Sequence, residues 1–281
     1  MYRELYRFGG VTFALESDAP LERSPVCEAF HVPDGVPDHT ICLRFSDALP
    51  TPPADALRRD DVFRWQAGAQ RHLLQWVSAP GDIPHFTYAV THGAHTDVIF
   101  ASAYRTGASV STALEAVGLF DVFAARGMLV LHSAYIVTSA GEAILFSGPS
   151  GVGKSTQAAL WERCAGARVV NGDRALVDVG KKTANGIFYA GTSGISENVT
   201  APVRAIVLLG QGSENRVFVP SPQAAFAGVL SQCAYYEWDA RSAEQMTECV
   251  ARLVSDVPVL RMDCLPNATA VEALRGKLGG I

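Results

Sequence analysis

Along the first half of the chain, apolar and polar positions alternate. "VTFALES" places Val11, Phe13 and Leu15 on one side of an extended strand and Thr12, Ala14 and Glu16 on the other. "ICLRFSD" repeats the pattern with Ile41, Leu43 and Phe45, and "DVFRWQ", "HLLQWVS", "HFTYAVT" and "TDVIFAS" predict further strands. Turn-rich segments such as "LPTPPAD" and "APGDIP" separate them, so a small, mainly antiparallel β domain is expected. The period then changes. Leu114, Val117, Phe120 and Phe123 recur at three-residue steps and predict one helix over Val110 to Ala124, with Thr112 and Glu115 at capping-box spacing. That helix closes the first half and leads into the second near Gly127.

The second half alternates strand with helix, as an α/β layer does. "MLVLHSAYIV" and "EAILF" read as buried strands, followed by a helix from Ser155 to about Cys164 that ends near Gly166. "ARVVN", "GIFYA", "RAIVLLG" and "NRVFVP" read as the next strands. Ser221 and Pro222 form an N-cap with proline at N1, opening the helix "QAAFAGVLSQC". A long helix from about Ala240 to Val254, the strand "PVLRMDC" and a helix ending at Gly279 complete the pattern. The expected division is residues 1–127 and 128–281, without internal repeats or low-complexity tracts.

Composition narrows the class. A chain of 281 residues, 48% apolar and 18% charged, suits two globular domains. No apolar run reaches the length of a membrane span, and "MYRELYRFGG" lacks the apolar core of a secretory signal. A cytoplasmic protein is expected, in which the six scattered cysteines stay free and the N-x-[ST] triplets at Asn198 and Asn267 carry no glycan. The first 130 residues hold 10 Lys plus Arg against 15 Asp plus Glu, and the remainder 13 against 13. Neither half has the basic surface of a nucleic-acid binder. The chain has only four lysines, and the first of them is Lys154.

That lysine lies in "AILFSGPSGVGKSTQAALW". Gly148, Gly153, Lys154 and Ser155 satisfy G-x-x-x-x-G-K-[ST], with an apolar strand before and a helix after. The loop Gly148, Pro149, Ser150, Gly151, Val152, Gly153, Lys154, Ser155, Thr156 therefore reads as a phosphate cradle. Its backbone N–H groups and the helix N-terminus face phosphate oxygens, Lys154 reaches the β/γ oxygens and Ser155 ligates Mg²⁺. The neighbours exclude several nucleotide enzymes. There is no LSGGQ-like signature, no apolar run ending in Asp-Glu and no N-K-x-D motif, and a guanylate kinase would open with its loop. Downstream, "ARVVNGDRALV" places Asp173 nineteen positions after Lys154, where a carboxylate can hold Mg²⁺ opposite Ser155; a turn or cap role is the other reading. Arg174 beside it suits either phosphate or a carboxylate.

These segments, together with "LHSAYIV", "GTSGI" and "RAIVLL", resemble the HPr kinase/phosphorylase-like group, whose P-loop core is related to that of phosphoenolpyruvate carboxykinases. The resemblance covers Leu131 to Leu209, is loose for the C-terminal helices and rests on layout alone for the first domain. It implies an α/β P-loop core behind an unrelated N-terminal domain, with ATP and Mg²⁺ used to phosphorylate a seryl hydroxyl on a small protein. Related kinases of peptide-modifying clusters act on a peptide precursor. It also implies a homo-oligomer, since hexamers are known in the family. By resemblance His132 lies close to the transferred phosphate, although read alone it is better taken as a core-strand histidine. Gly191 to Ile195, with Ser193 and Gly194, resembles the family's signature loop. Two departures stand out. Gly172-Asp173 replaces two adjacent aspartates, the first of which serves the family as general base, and the Pro-Trp-containing stretch before the G-x-S-G segment is missing. The proton then falls to Asp173, His132 or Glu197.

The expectation is an ATP- and Mg²⁺-dependent kinase with Asp173, His132 and Lys154 as its catalytic residues, Ser155 and Asp173 on the metal, and Arg174 beside the phosphates. Gly191, Ser193, Gly194, Glu197 and Asn198 are further candidates around the acceptor. The acceptor is a hydroxyl of a peptide or small protein, with a small metabolite as the alternative, and the acidic first domain suits recognition of a basic peptide. The rival is a nucleotide-binding switch that transfers nothing. Elsewhere, His92 and His95 in "THGAHTD" read as a hairpin loop rather than metal ligands, and Asp239 in "YYEWDAR" as a helix cap rather than half of an acid pair with Glu237. Arg204 and Arg216 stand at strand ends.

Overall fold

The computed structural model of the chain describes residues 1–48, 50–77 and 85–280. The predicted turn "APGDIP", with Ser78 and Leu49 from the neighbouring stretches, lies outside them. Chain contacts divide the molecule into two compact units, Met1–Leu119 and Phe120–Ile281. It is a mixed α/β protein with two large sheets. Among the described residues no helix is long and apolar enough to cross a membrane, and all six cysteines are free.

Among the described residues, the first unit is a nine-stranded sheet. Its strands are β1 (Tyr2–Phe8), β2 (Val11–Ser17), β3 (His31–Val32), β4 (His39–Phe45), β5 (Leu57–Arg59), β6 (Val62–Ala67), β7 (Gln70–Val77), β8 (His85–His92) and β9 (His95–Phe100), in the order β3-β1-β2-β4-β9-β8-β7-β6-β5. Most neighbours are antiparallel, but β4 runs parallel to both β2 and β9. Phe13, Leu15, Ile41, Leu43, Val98 and Phe100 fill the core. Thr12 and Ala14, on the opposite side of β2, are buried as well. His92 and His95 pair across a two-residue turn in which Gly93 takes φ +58°, so the hairpin reading holds for the backbone.

Among the described residues, three short helices lie in this part of the chain: α1 (Pro25–Glu28), α2 (Val110–Ala116) and α3 (Leu119–Ala124), the last of which belongs to the second unit from Phe120 onward. The single helix expected over Val110 to Ala124 is broken at Gly118, which adopts φ +64° and ends the first segment. The capping box also shifts. Ser109 accepts from the Thr112 N–H, while Thr112 Oγ1 accepts from the Ser109 N–H.

The second unit contains β10 (Met128–Val137), β11 (Ala143–Ser147), α4 (Lys154–Ala165), β12 (Arg168–Asn171), β13 (Arg174–Asp178), β14 (Thr183–Asn185), β15 (Thr200–Gln211), β16 (Arg216–Phe218), α5 (Pro222–Leu230), α6 (Ala240–Asp256), β17 (Val259–Cys264) and α7 (Ala268–Leu278). Strands β11-β10-β13-β14-β15 form a small five-stranded barrel, closed by parallel pairing of β15 with β11. β17 and β16 extend the sheet beyond it. "AILFS" is buried at every position because its two faces meet different cores. Ala143 and Leu145 join residues of α5 and α6, including Val229, Met246 and Val250. Ile144 and Phe146 join Ala158 and Trp161 of α4 and Val271 and Leu274 of α7. Helix α6 earns its place through Met246, Cys249, Val250 and Leu253, the i, i+3, i+4, i+7 stripe of an amphipathic helix.

Two strand expectations change here. "RALVD" and "TAN" are strands β13 and β14, whereas "GIFYA" is irregular. The carbonyls of Ile187 and Tyr189 are taken by the Asn171 side-chain amide instead of a ladder partner.

Candidate functional site

Strand β11 ends at Ser147, and the chain turns through six residues into α4. Gly153 is the N-cap of α4 with φ +112°, a conformation closed to most side chains, and it offers no side chain to cap the helix. The first-turn N–H groups, which no intrahelical carbonyl reaches, are thus left without a side-chain cap, an arrangement able to hold an anion. Lys154, at the first helical position, is buried and folds back over the loop, donating to the carbonyls of Gly148 (2.9 Å) and Pro149 (3.1 Å). Burial pushes its pKa down, and the charge of Asp173 opposes that shift. Ser155 and Thr156 are exposed beside it.

Opposite the loop, β10 supplies His132. Ser147 Oγ donates to the His132 carbonyl at 2.8 Å, tying the two strands together at the site. His132 Nε2 lies 3.5 Å from Asp173 Oδ1. Burial of the ring holds its pKa below the usual histidine value, helped by the cations Lys154 and Arg174, while Asp173 pulls the other way.

Asp173 owes its position to Asn171. This fully buried side chain accepts from the N–H groups of Asp173 and Arg174, both at 2.9 Å, in an Asx-type turn. Its amide donates to Ile187 O, Tyr189 O and Ser196 Oγ, joining the turn to the segment behind it. A short 3₁₀ turn at Gly191–Ser193 packs on the same place. A β-carbon on Gly191 would sit 2.7 Å from Asp173 Cβ and Cγ, so the close approach needs glycine.

These pieces line one polar cavity of about 280 Å³: the loop and first turn of α4, His132, Gly172 with Asp173, and Thr192 with Ser193. Of the residues expected from sequence, His132, Lys154, Ser155, Asp173 and Ser193 are brought together. Arg174 stands behind, with Nε 3.3 Å from Asp173 Oδ2 and its guanidinium over the Tyr189 ring. Gly194 caps the 3₁₀ turn. Glu197 pairs with Arg168 and Asn198 is exposed, and neither lines the cavity. Arg204 donates to Leu278 O, and Arg216 lies over Phe218. Asp239 caps α6 by accepting from Arg241 and Ser242.

No protein-family model and no curated protein matches this chain. Its chemistry rests on the geometry. Sequence reasoning passed over Asn171 and Thr192. The signal for Asn171 was a lone amide ending an apolar strand just before Gly-Asp, a placement in which Asn builds a turn.

Proposed function

We propose that this chain is an ATP- and Mg²⁺-dependent kinase that transfers the γ-phosphoryl group to a hydroxyl, foremost a serine of a peptide or small protein. One observation carries the reading: a single polar cavity gathers a glycine loop with Lys154, a hydroxyl and a carboxylate on Ser155 and Asp173, and the imidazole of His132. The strand–loop–helix layout, with a histidine on the facing strand, supports the resemblance to the HPr kinase/phosphorylase-like P-loop core.

The donor set fits the expected groups. Ser155 and Asp173 offer hard oxygens, which suit Mg²⁺, and the bound cation would neutralise phosphate charge. The loop N–H groups and Lys154 bind and orient the triphosphate of the ATP substrate. As the acceptor oxygen bonds to the γ-phosphorus and the bond to the ADP oxygen breaks, His132 Nε2 takes the hydroxyl proton. Asp173 then stabilises the imidazolium. Glu197 pairs with Arg168 and does not line the cavity, so it is not placed to share that role.

The alternative is a nucleotide-dependent switch, favoured by Gly172 in place of a second acid. Incubation with γ-labelled ATP, Mg²⁺ and the peptide and small-molecule fraction of the source cells separates the readings. A labelled peptide that disappears with Lys154→Ala and Asp173→Asn supports the kinase, and a labelled metabolite redirects its acceptor. Tight ATP binding without any labelled product supports the switch.

A further inference from the structure

One face of the first unit's sheet carries a second group of chemical side chains, unrelated to the phosphate loop. Glu16 on β2, Cys42 on β4 and Asp97 on β9 stand in one row across three adjacent strands, since Glu16 pairs with Cys42 and Cys42 with Asp97. His95 precedes Asp97 by two residues and so projects from the same face. Strand β4 runs parallel to both neighbours, and its ladders fix these four positions without any loop.

We propose that Cys42, His95 and Asp97 form a binding site for a borderline divalent transition metal of the zinc class. The three donor atoms lie within 4.8 Å of one another, and among the described residues they are the one group of at least three Cys, His, Asp or Glu donors so assembled. His95 Nε2 is 3.5 Å from Asp97 Oδ2. A tetrahedral ion with bonds of about 2.0–2.3 Å spaces its ligands roughly 3.3–3.8 Å apart, so this pair already stands at ligand spacing.

Neighbouring residues aim the donors. Arg44 Nη2 holds Asp97 Oδ1 at 3.0 Å, which leaves Oδ2 turned toward the imidazole. Arg3 Nε holds Glu16 Oε1 at 3.3 Å, and Glu16 Oε2 accepts a hydrogen bond from the Cys42 thiol at 3.5 Å. Such outer partners orient ligands in metal sites. Ion pairing explains the carboxylates and arginines, but it gives no reason for a thiol and an imidazole to converge on the same point.

The donor chemistry selects the ion. Sulfur and imidazole nitrogen favour Zn²⁺ and its neighbours over Mg²⁺ or Ca²⁺, which seek six or more oxygens. Three protein ligands leave a fourth position for water, and the His95 and Asp97 side chains are 46% and 45% exposed, so solvent reaches it. On binding, the thiol gives up its proton to the buffer as the sulfur–metal bond forms.

The test uses the full chain, stripped of metal and without nucleotide. Co²⁺ is added to read thiolate-to-metal charge-transfer absorption, and Zn²⁺ affinity is measured against a chromophoric chelator. The expected result is one equivalent of Co²⁺ with a charge-transfer band that Cys42→Ser abolishes. His95→Ala, at an exposed strand end that leaves the core untouched, should weaken Zn²⁺ binding at least about tenfold. Cys164→Ser, at an exposed position of α4, should change neither. A band that survives Cys42→Ser, unchanged Zn²⁺ affinity in His95→Ala, or no thiolate band at all would overturn the site.

Discussion

Ser193 Oγ occupies the space that a β-carbon on Gly172 would need, and Ser193 Cβ lies 2.6 Å from the same point. Glycine at 172 is therefore a consequence of how the Gly191–Ser193 turn packs. A second aspartate cannot be restored here by simple replacement. Gly172→Asp should displace the turn and Asp173 with it, lowering phosphoryl transfer about 100-fold, as misplacement by an ångström does. Gly172→Ala should lose activity as well, and adding Ser193→Gly should recover part of it. Steady-state transfer assays on the three variants check this, and a gain of activity in Gly172→Asp would remove the packing argument.

His132 sets the expected pH dependence. Burial and neighbouring cations lower its pKa from the usual histidine value of about 6.5. The transfer rate should rise with pH along an acid limb whose midpoint lies below that value, then level off. His132→Gln should lower the rate about 100-fold or more and remove the limb. Stability follows the same sign. The lowered folded pKa means that the unfolded chain binds the extra proton first, so this contribution is retained above about pH 6.5 and falls as pH drops toward the folded value. Rate–pH profiles and urea midpoints of parent and variant measure both.

Asn171 is the keystone of the turn that holds Asp173. It is fully buried with five hydrogen-bond partners, two donors and three acceptors. Asn171→Ala should cost about 3 kcal/mol, because truncation leaves buried polar groups unpaired. Asn171→Ser retains a weaker turn acceptor and loses the amide donor, so it should fall between parent and Ala. Urea unfolding reads the stabilities. Transfer assays on folded protein should show activity falling in the same order.

What the sequence disclosed was local. The run "AILFS", the glycine loop and the helix after it are contiguous, so the glycine loop and its strand–helix setting were readable before any fold. Ser221 and Asp239 cap their helices as their positions suggest, because an N-cap needs only its own first turn. The longer pairings were hidden. Strand β13 escaped notice because "RALVD" is short and its partner β10 lies some forty residues upstream. Barrel closure joins β11 to β15 across a still longer span, and parallel β4 depends on strands from both sides of the sequence. His95 looked like part of a pair with His92, yet its chemical neighbours are Asp97 and Cys42, the latter from another strand.

The break at Gly118 offers a test in which two local rules predict opposite signs. Read as one continuous helix, Val110 to Ala124 would be stabilised by Gly118→Ala by about 1 kcal/mol, since alanine is the better helix former. In the folded chain Gly118 has φ +64°, and its N–H donates to Glu115 O at 3.4 Å as α2 ends. An alanine held in that left-handed conformation costs about 1–2 kcal/mol. Gly118→Ala should therefore destabilise, and hydrogen exchange should quicken in α2 and α3 more than in the strands. Gly118→Asn should be milder, because asparagine enters the left-handed region more readily. If Gly118→Ala instead slowed exchange across both segments, the two helices would be one.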